Sequence, residues 1–78
     1  MGRNDEVTFE LIEHIGVLST SDRGWSKEVN FVSWNGASPK IDIRDWDSEH
    51  MRMSRGVTLF EEEAEALAKH LMGWFSND

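Results

Sequence analysis

Two short stretches carry residue types suited to binding a flat, negatively charged ligand. Lys40, Asp42, Arg44 and Trp46 recur at every second position, and so do Arg23, Trp25 and Lys27. Side chains alternate across a β-strand, so each set would share one face. Cations beside an aromatic ring suit single-stranded nucleic acid, whose bases stack on rings and whose phosphates seek Lys and Arg. The alternative is a solvated strand face with a sheltered Trp. Ile41 and Ile43 point the other way and read as core. Asp42, between Lys40 and Arg44, reads as an orienting partner for those cations.

Other chemistries find little support. His14, His50 and His70 share no ligand spacing and cysteine is absent, so no metal site is expected. Asp42 and Asp45 would lie on opposite faces of a strand and make a poor carboxylate pair. There is no Ser–His–acid order, P-loop or dinucleotide fingerprint. The expectation is a non-enzyme without cofactor.

The chain has 78 residues, near the size where a single core is marginal, so self-association is expected. No apolar run is long enough for a membrane span and no signal-peptide pattern opens the chain. A soluble protein of the bacterial cytoplasm is the natural expectation, and the lack of cysteine suits that compartment. Net charge is −7, which weighs against a simple electrostatic nucleic-acid binder. Residues 60–78 contribute −4 of this and residues 1–59 contribute −3. Screening over about 8 Å would shield a ligand on one side from acid on the other.

These residues need elements to hold them. Residues 1–6 are polar and read as a flexible N-terminus. Val7–Leu18 is rich in β-branched residues and reads as a long strand, with a bend at Gly16. Phe9, Leu11, Ile15 and Val17 share one parity, interrupted by Glu13. Ser19–Gly24 is a turn by composition. Trp25–Trp34 reads as a second strand, Asn35-Gly36 opens a turn, and Lys40–Trp46 is the third strand. Asp47–Arg55 is polar and irregular, and Gly56–Leu59 is a short fourth strand. From Phe60 the period becomes helical, with Ala64, Leu67, Ala68, Leu71, Met72 and Phe75 on the apolar side. Thr58 with Glu61 matches a capping box, with the helix beginning there or a residue or two later, and early Glu residues complement the helix dipole. This gives one α+β domain over residues 7–75, a curved four-stranded antiparallel sheet followed by one amphipathic helix, with 76–78 as a tail. One helix covers one sheet face, so a symmetric homodimer is the economical way to bury the rest.

Ile41-Asp42-Ile43-Arg44-Asp45-Trp46, a polar loop, then Arg55-Gly56-Val57-Thr58-Leu59 and a Glu-rich helix start resemble the positive cofactor four family of transcriptional coactivators. His14-Ile15-Gly16-Val17-Leu18-Ser19 and Val32-Ser33-Trp34-Asn35-Gly36 resemble its bacterial YdbC-like branch. The resemblance covers residues 9–72. It implies a homodimer whose curved sheets bind single-stranded or melted DNA with little sequence preference. Arg44 and Trp46 fall at the family's basic and aromatic third-strand positions, with Trp46 one place nearer the Arg than in the eukaryotic pattern. Arg55 matches the basic residue before the fourth-strand glycine, and Lys40 lies where the family places basic groups. Aligning Val32-Ser33 puts Ser33 on the ligand face, and alternation adds Phe31, Lys27, Trp25 and Arg23 to it.

The resulting DNA-binding set is Trp25, Lys27, Phe31, Lys40, Arg44, Trp46 and Arg55, with Arg23, Ser33 and Arg52 as a further group. Phe31 is open between stacking platform and structural aromatic. Trp34 and Trp74 read as core or dimer contacts. The function implied is non-enzymatic, largely sequence-independent binding of single-stranded DNA, as a transcription or DNA-maintenance cofactor. The alternative is a dimeric module that contacts transcription or replication proteins.

Overall fold

A computed structural model describes residues 8–76. The expected N-terminal segment 1–6 and residues 77–78 lie outside that range. Four strands and a helix follow in order: β1 (Phe9–Thr20), β2 (Ser26–Trp34), β3 (Lys40–Trp46), β4 (Val57–Leu59) and α1 (Glu61–Ser76). The sheet is an antiparallel meander, β1-β2-β3-β4. The expected fold class is the observed one. Ser76 closes the helix instead of opening a tail, and its hydroxyl donates to the Met72 carbonyl at 2.6 Å.

Both tight turns follow from their residues. At Asn35-Gly36 the two φ angles are 51° and 77°, and the Ala37 amide donates to the Trp34 carbonyl at 2.9 Å. Positive φ at both central positions defines the mirror-image turn that Asn-Gly favours. Between β1 and β2, Ser21 Oγ accepts from the amides of Arg23 and Trp25, and Gly24 supplies a φ of 84°.

β1 departs from simple alternation. Its register against β2 slips between Leu11 and Glu13, between His14 and Gly16, and between Val17 and Ser19. Ile12, Ile15 and Leu18 are therefore bulged residues, one in every three. Leu11, His14, Val17 and Thr20 come to stand beside Val32, Asn30, Glu28 and Ser26, while Glu13, Gly16 and Ser19 stand beside Phe31, Val29 and Lys27. The expected grouping of Ile15 with Leu11 and Val17 is thus replaced by a period of three. Each bulge adds right-handed twist, so the strand coils.

The core lies on the face opposite to the expected one. Val32 and Trp46 are wholly buried, as are Asn30 and Asp42, whereas Ile41 and Ile43 are only half-buried. The start of β1 and the 47–55 segment close over the Arg44 face, through Phe9, His50 and Met53. Among the described elements, helix α1 touches β3 and β4.

Helix α1 begins one position after Phe60, whose amide donates to the Glu63 carboxylate at 2.8 Å. That is the backward half of a capping box, two residues later than the Thr58–Glu61 pairing expected, and Phe60 offers no side-chain acceptor for the forward half. No residue of α1 is buried. The radius of gyration is 14.6 Å, against about 11.5 Å for a compact chain of this length. Within the single chain the helix stays uncovered.

Candidate nucleic-acid interface

The β2–β3 register decides which side chains meet. Ser26, Glu28, Asn30 and Val32 stand opposite Trp46, Arg44, Asp42 and Lys40; Lys27, Val29 and Phe31 stand opposite Asp45, Ile43 and Ile41. Directly opposed residues of an antiparallel pair share a face. The DNA-binding set expected to share one face is therefore divided. Lys40, Arg44 and Trp46 lie on one side, and Lys27, Phe31 and Ser33 lie on the isoleucine side. Alternation orders residues within a strand, but the hairpin loop determines which parities coincide across strands.

Arg44 is immobilised. Its Nε donates to Asp42 Oδ1 at 2.7 Å and a terminal nitrogen donates to Oδ2 at 2.8 Å, a bidentate pair on a wholly buried carboxylate. The other terminal nitrogen donates to the Ser54 carbonyl at 3.3 Å, and the guanidinium lies 4.6 Å from the Trp34 ring centroid. The expected role of Asp42 as partner of a neighbouring cation is realised with Arg44.

Glu28 sits beside this pair, 3 % exposed. Burial pushes its carboxyl upward, but hydrogen bonds from Ser26, His50 and Asn30 outweigh that and hold it below the usual carboxylate value. His50 Nε2 lies 2.9 and 3.0 Å from the two carboxylate oxygens, so it carries the proton there. Asn30 Nδ2 donates to Glu28, which turns Asn30 Oδ1 toward His14 Nδ1 at 2.7 Å and makes that nitrogen the donor. Three histidines with no common spacing gave no sign of this; two of them flank Glu28 only because β1 and the 47–55 segment meet over β2.

Trp46 is 0 % exposed. Phe9 lies 5.1 Å and His50 5.6 Å from its ring, and Met53 bridges its backbone. The expectation of an exposed Trp46 on this face is corrected by the fold of the following segment. Asp47 Oδ1 accepts from the amides of Met51 and Arg52, at 2.8 and 3.1 Å. The Arg52 amide is the main cause of a lowered Asp47 carboxyl. His50 adopts a φ of 57°, and the Ser54 amide returns to the Asp45 carbonyl at 3.0 Å. The chain thus doubles back across Trp46.

The remaining candidates occupy two ends of the sheet. At one end Trp25, half-buried, lines a shallow pocket of about 340 Å³ with Ser21, Arg23 and Asp45. Lys27 is on this end too, 3.4 Å from Asp45 on the isoleucine side. At the other end Lys40, Arg44 and Thr58 line a groove of about 520 Å³ together with Trp34, Asn35 and Met53. Arg52 and Arg55 are exposed, and among the described residues they form no ion pair. Ser33 is buried, its hydroxyl donating to the Ala37 carbonyl at 2.6 Å. Phe31 is half-buried beside Ile41.

Trp34, expected as a core or dimer contact, stands on the same side of the sheet as Arg44. It is half-buried, its Nε1 out of contact with solvent, 5.6 Å from Phe9 and under the Arg44 guanidinium. A signal was present in principle: Trp34 has the same parity as Lys40 and Arg44, though only the register makes parity meaningful across strands.

Comparison with known proteins agrees with this architecture. An uncharacterized protein of Treponema pallidum (strain Nichols) is 45% identical over 64 residues, which is 82% of this chain and 75% of that protein. Residues 21–70 match the family model for transcriptional coactivator p15 (PC4), from the β1–β2 turn well into the helix. The chain belongs to the PC4 family of transcriptional coactivator p15-like proteins.

Proposed function

We propose that this protein is a homodimeric, non-enzymatic binder of single-stranded DNA in the bacterial cytoplasm, with little sequence preference, acting as a transcription or DNA-maintenance cofactor. Membership of the PC4 family carries the reading. The geometry supports it through cations that form no ion pair among the described residues and stand beside half-buried indoles, at Lys40 with Trp34 and at Arg23 with Trp25. Bases stack on such rings while the phosphates meet Lys40, Arg52 and Arg55. Arg44 contributes as a fixed polar neighbour.

Self-association follows from surface that one protomer cannot bury. Leu67, Leu71, Met72, Trp74 and Phe75 are exposed on α1, the last two at 72%. Ile41 and Ile43 of β3, a strand that helix touches, are only half-buried. A second copy covers both by symmetry.

The test is fluorescence anisotropy of a labelled oligo-dT in low salt, with a duplex of equal length as control. Saturable binding of the single strand, weaker duplex binding and affinity that falls with salt are expected. No saturable binding, or equal binding of duplex, refutes the reading. The net charge of −7 favours a second reading, a dimeric module that contacts transcription or replication proteins. Retained partner capture with no oligo-dT binding would select it.

A further inference from the structure

We propose that His50 and Glu28 form a pH-sensitive latch that holds the segment 47–55 down over Trp46, tight while the imidazole is protonated and looser once it is neutral. The latch stands apart from the single-stranded-DNA reading; only its bearing on Arg52, an expected phosphate contact carried by the same segment, rests on that reading.

Three observations carry it. First, the anchor is a buried anion. Glu28 is 3 % exposed, and both of its oxygens accept from His50 Nε2, at 2.9 and 3.0 Å. The Ser26 hydroxyl and the Asn30 amide also donate to this carboxylate, but neither can change its charge. Second, the imidazole is the polar tie between the tip of the segment and the sheet. The amides of Met51 and Arg52 return to the Asp47 side chain, and the His50 amide returns to the Asp47 carbonyl. Among the described residues, only His50 of residues 48–52 makes a hydrogen bond that reaches another strand. Third, the His50 backbone has a φ of 57°, a left-handed conformation that costs energy for any residue with a Cβ. The ring offsets that cost through Glu28 and through Trp46, whose ring lies 5.6 Å away.

The surrounding charges fix the sign. A neutral imidazole still donates from Nε2, but a hydrogen bond between ionised partners is about twice as strong. From β1, His14 Nδ1 lies 3.7 Å from Glu28 Oε1. From β3, Arg44 stands opposite Glu28 but is held bidentate by Asp42, and Asp45 faces Lys27 on the other side. Within the segment Glu49 is exposed, and Asp47 interacts with both Arg52 and His50. Helix α1 touches β3 and β4, and β4 carries no titratable group. The counter-charge of Glu28 therefore falls to two histidines, and of these His50 belongs to the segment. Raising the pH removes its cation and weakens the latch.

The test is NMR of the full chain, ¹⁵N-labelled and free of DNA, from about pH 5 to 8, where imidazoles change charge. Ring resonances follow the His50 titration. Hydrogen exchange, corrected for its intrinsic pH dependence, gives protection at two reporters of the segment. These are the Ser54 amide, which donates to the Asp45 carbonyl, and the Trp46 indole, whose Nε1 is out of contact with solvent. Protection at both should fall about fivefold as pH rises, with the midpoint of the His50 ring titration. The Ala37 amide, in the turn at the other end of β2, should hold its protection. His50→Gln keeps a donor that cannot titrate and should abolish the step, whereas His14→Asn should leave it. A flat wild-type profile, a midpoint apart from that of His50, an equal fall at Ala37, a step that survives His50→Gln or one lost in His14→Asn overturns the proposal. Should either variant fail to fold, the agreement or disagreement of the wild-type midpoints decides.

Discussion

Gly56 is the position where one added methyl group should cost most relative to its size. It precedes β4, and a Cβ built there would lie inside van der Waals contact of the Arg44 Cβ and the Ile43 carbonyl oxygen, and 2.9 Å from Arg44 Nε. Two of those three neighbours are backbone or Cβ atoms, which cannot swing away as a side-chain tip can. Restoring ordinary contact, 3.4–4 Å, requires β4 to move off β3 by on the order of 1 Å, which is overpacking of a kind that costs about 1–3 kcal/mol. The β3–β4 ladder has little reserve to absorb this. It consists of Ile41↔Leu59, Asp42↔Thr58 and Ile43↔Val57, and the last pair adjoins Gly56. We therefore expect Gly56→Ala to lose about 2 kcal/mol. For a domain of this size the corresponding fall in Tm is about 8–16 °C. Thermal and urea unfolding, run at one protomer concentration because association shifts apparent stability, measures it. Gly16→Ala is the control, since nothing lies within 4 Å of a Cβ there. A Gly56→Ala protein within about 0.5 kcal/mol of wild type, the range of neutral surface changes, would refute the reasoning.

Asp42→Asn leaves the Arg44 guanidinium without its buried counter-charge. A loss of about 3–5 kcal/mol in urea unfolding is expected; a loss under about 1 kcal/mol would mean that desolvation cancels the pair. Glu28 titrates below its ordinary value of 4.5. As pH falls below that value the unfolded chain takes up the proton first, so the stability Glu28 contributes is present above pH 4.5 and lost as pH drops through its folded value. Unfolding midpoints from pH 7 to 3 should show that acid loss in wild type and a flatter profile in Glu28→Gln; parallel profiles would contradict it. Leu67→Glu with Leu71→Glu places charge on the exposed apolar side of α1. Light scattering should then report the 9.0 kDa protomer where wild type gives twice that mass, and an unchanged mass would move the interface elsewhere.

Local chemistry determined a good deal of this protein from sequence alone. The Asn35-Gly36 turn, the bounds of the third strand and the helical period after Phe60 are short-range properties of φ preference and hydrophobic spacing. The order of strands and helix followed from them, as did Asp42 as a partner for Arg44, two residues away on one strand. Tertiary structure decided how the faces combine. Whether Lys27 and Phe31 join Arg44 or Ile41 depends on the parity of the β2–β3 register, a property of two strands and their loop. Bulges at Ile12, Ile15 and Leu18 replace a period of two with three, because β1 must coil to bring Phe9 over Trp46. The backward fold of residues 47–55 buries Trp46 and brings His50 to Glu28, while Trp34 stays half-buried under Arg44. Each of these is set by contacts between residues distant in the chain, where alternation along one strand carries no information.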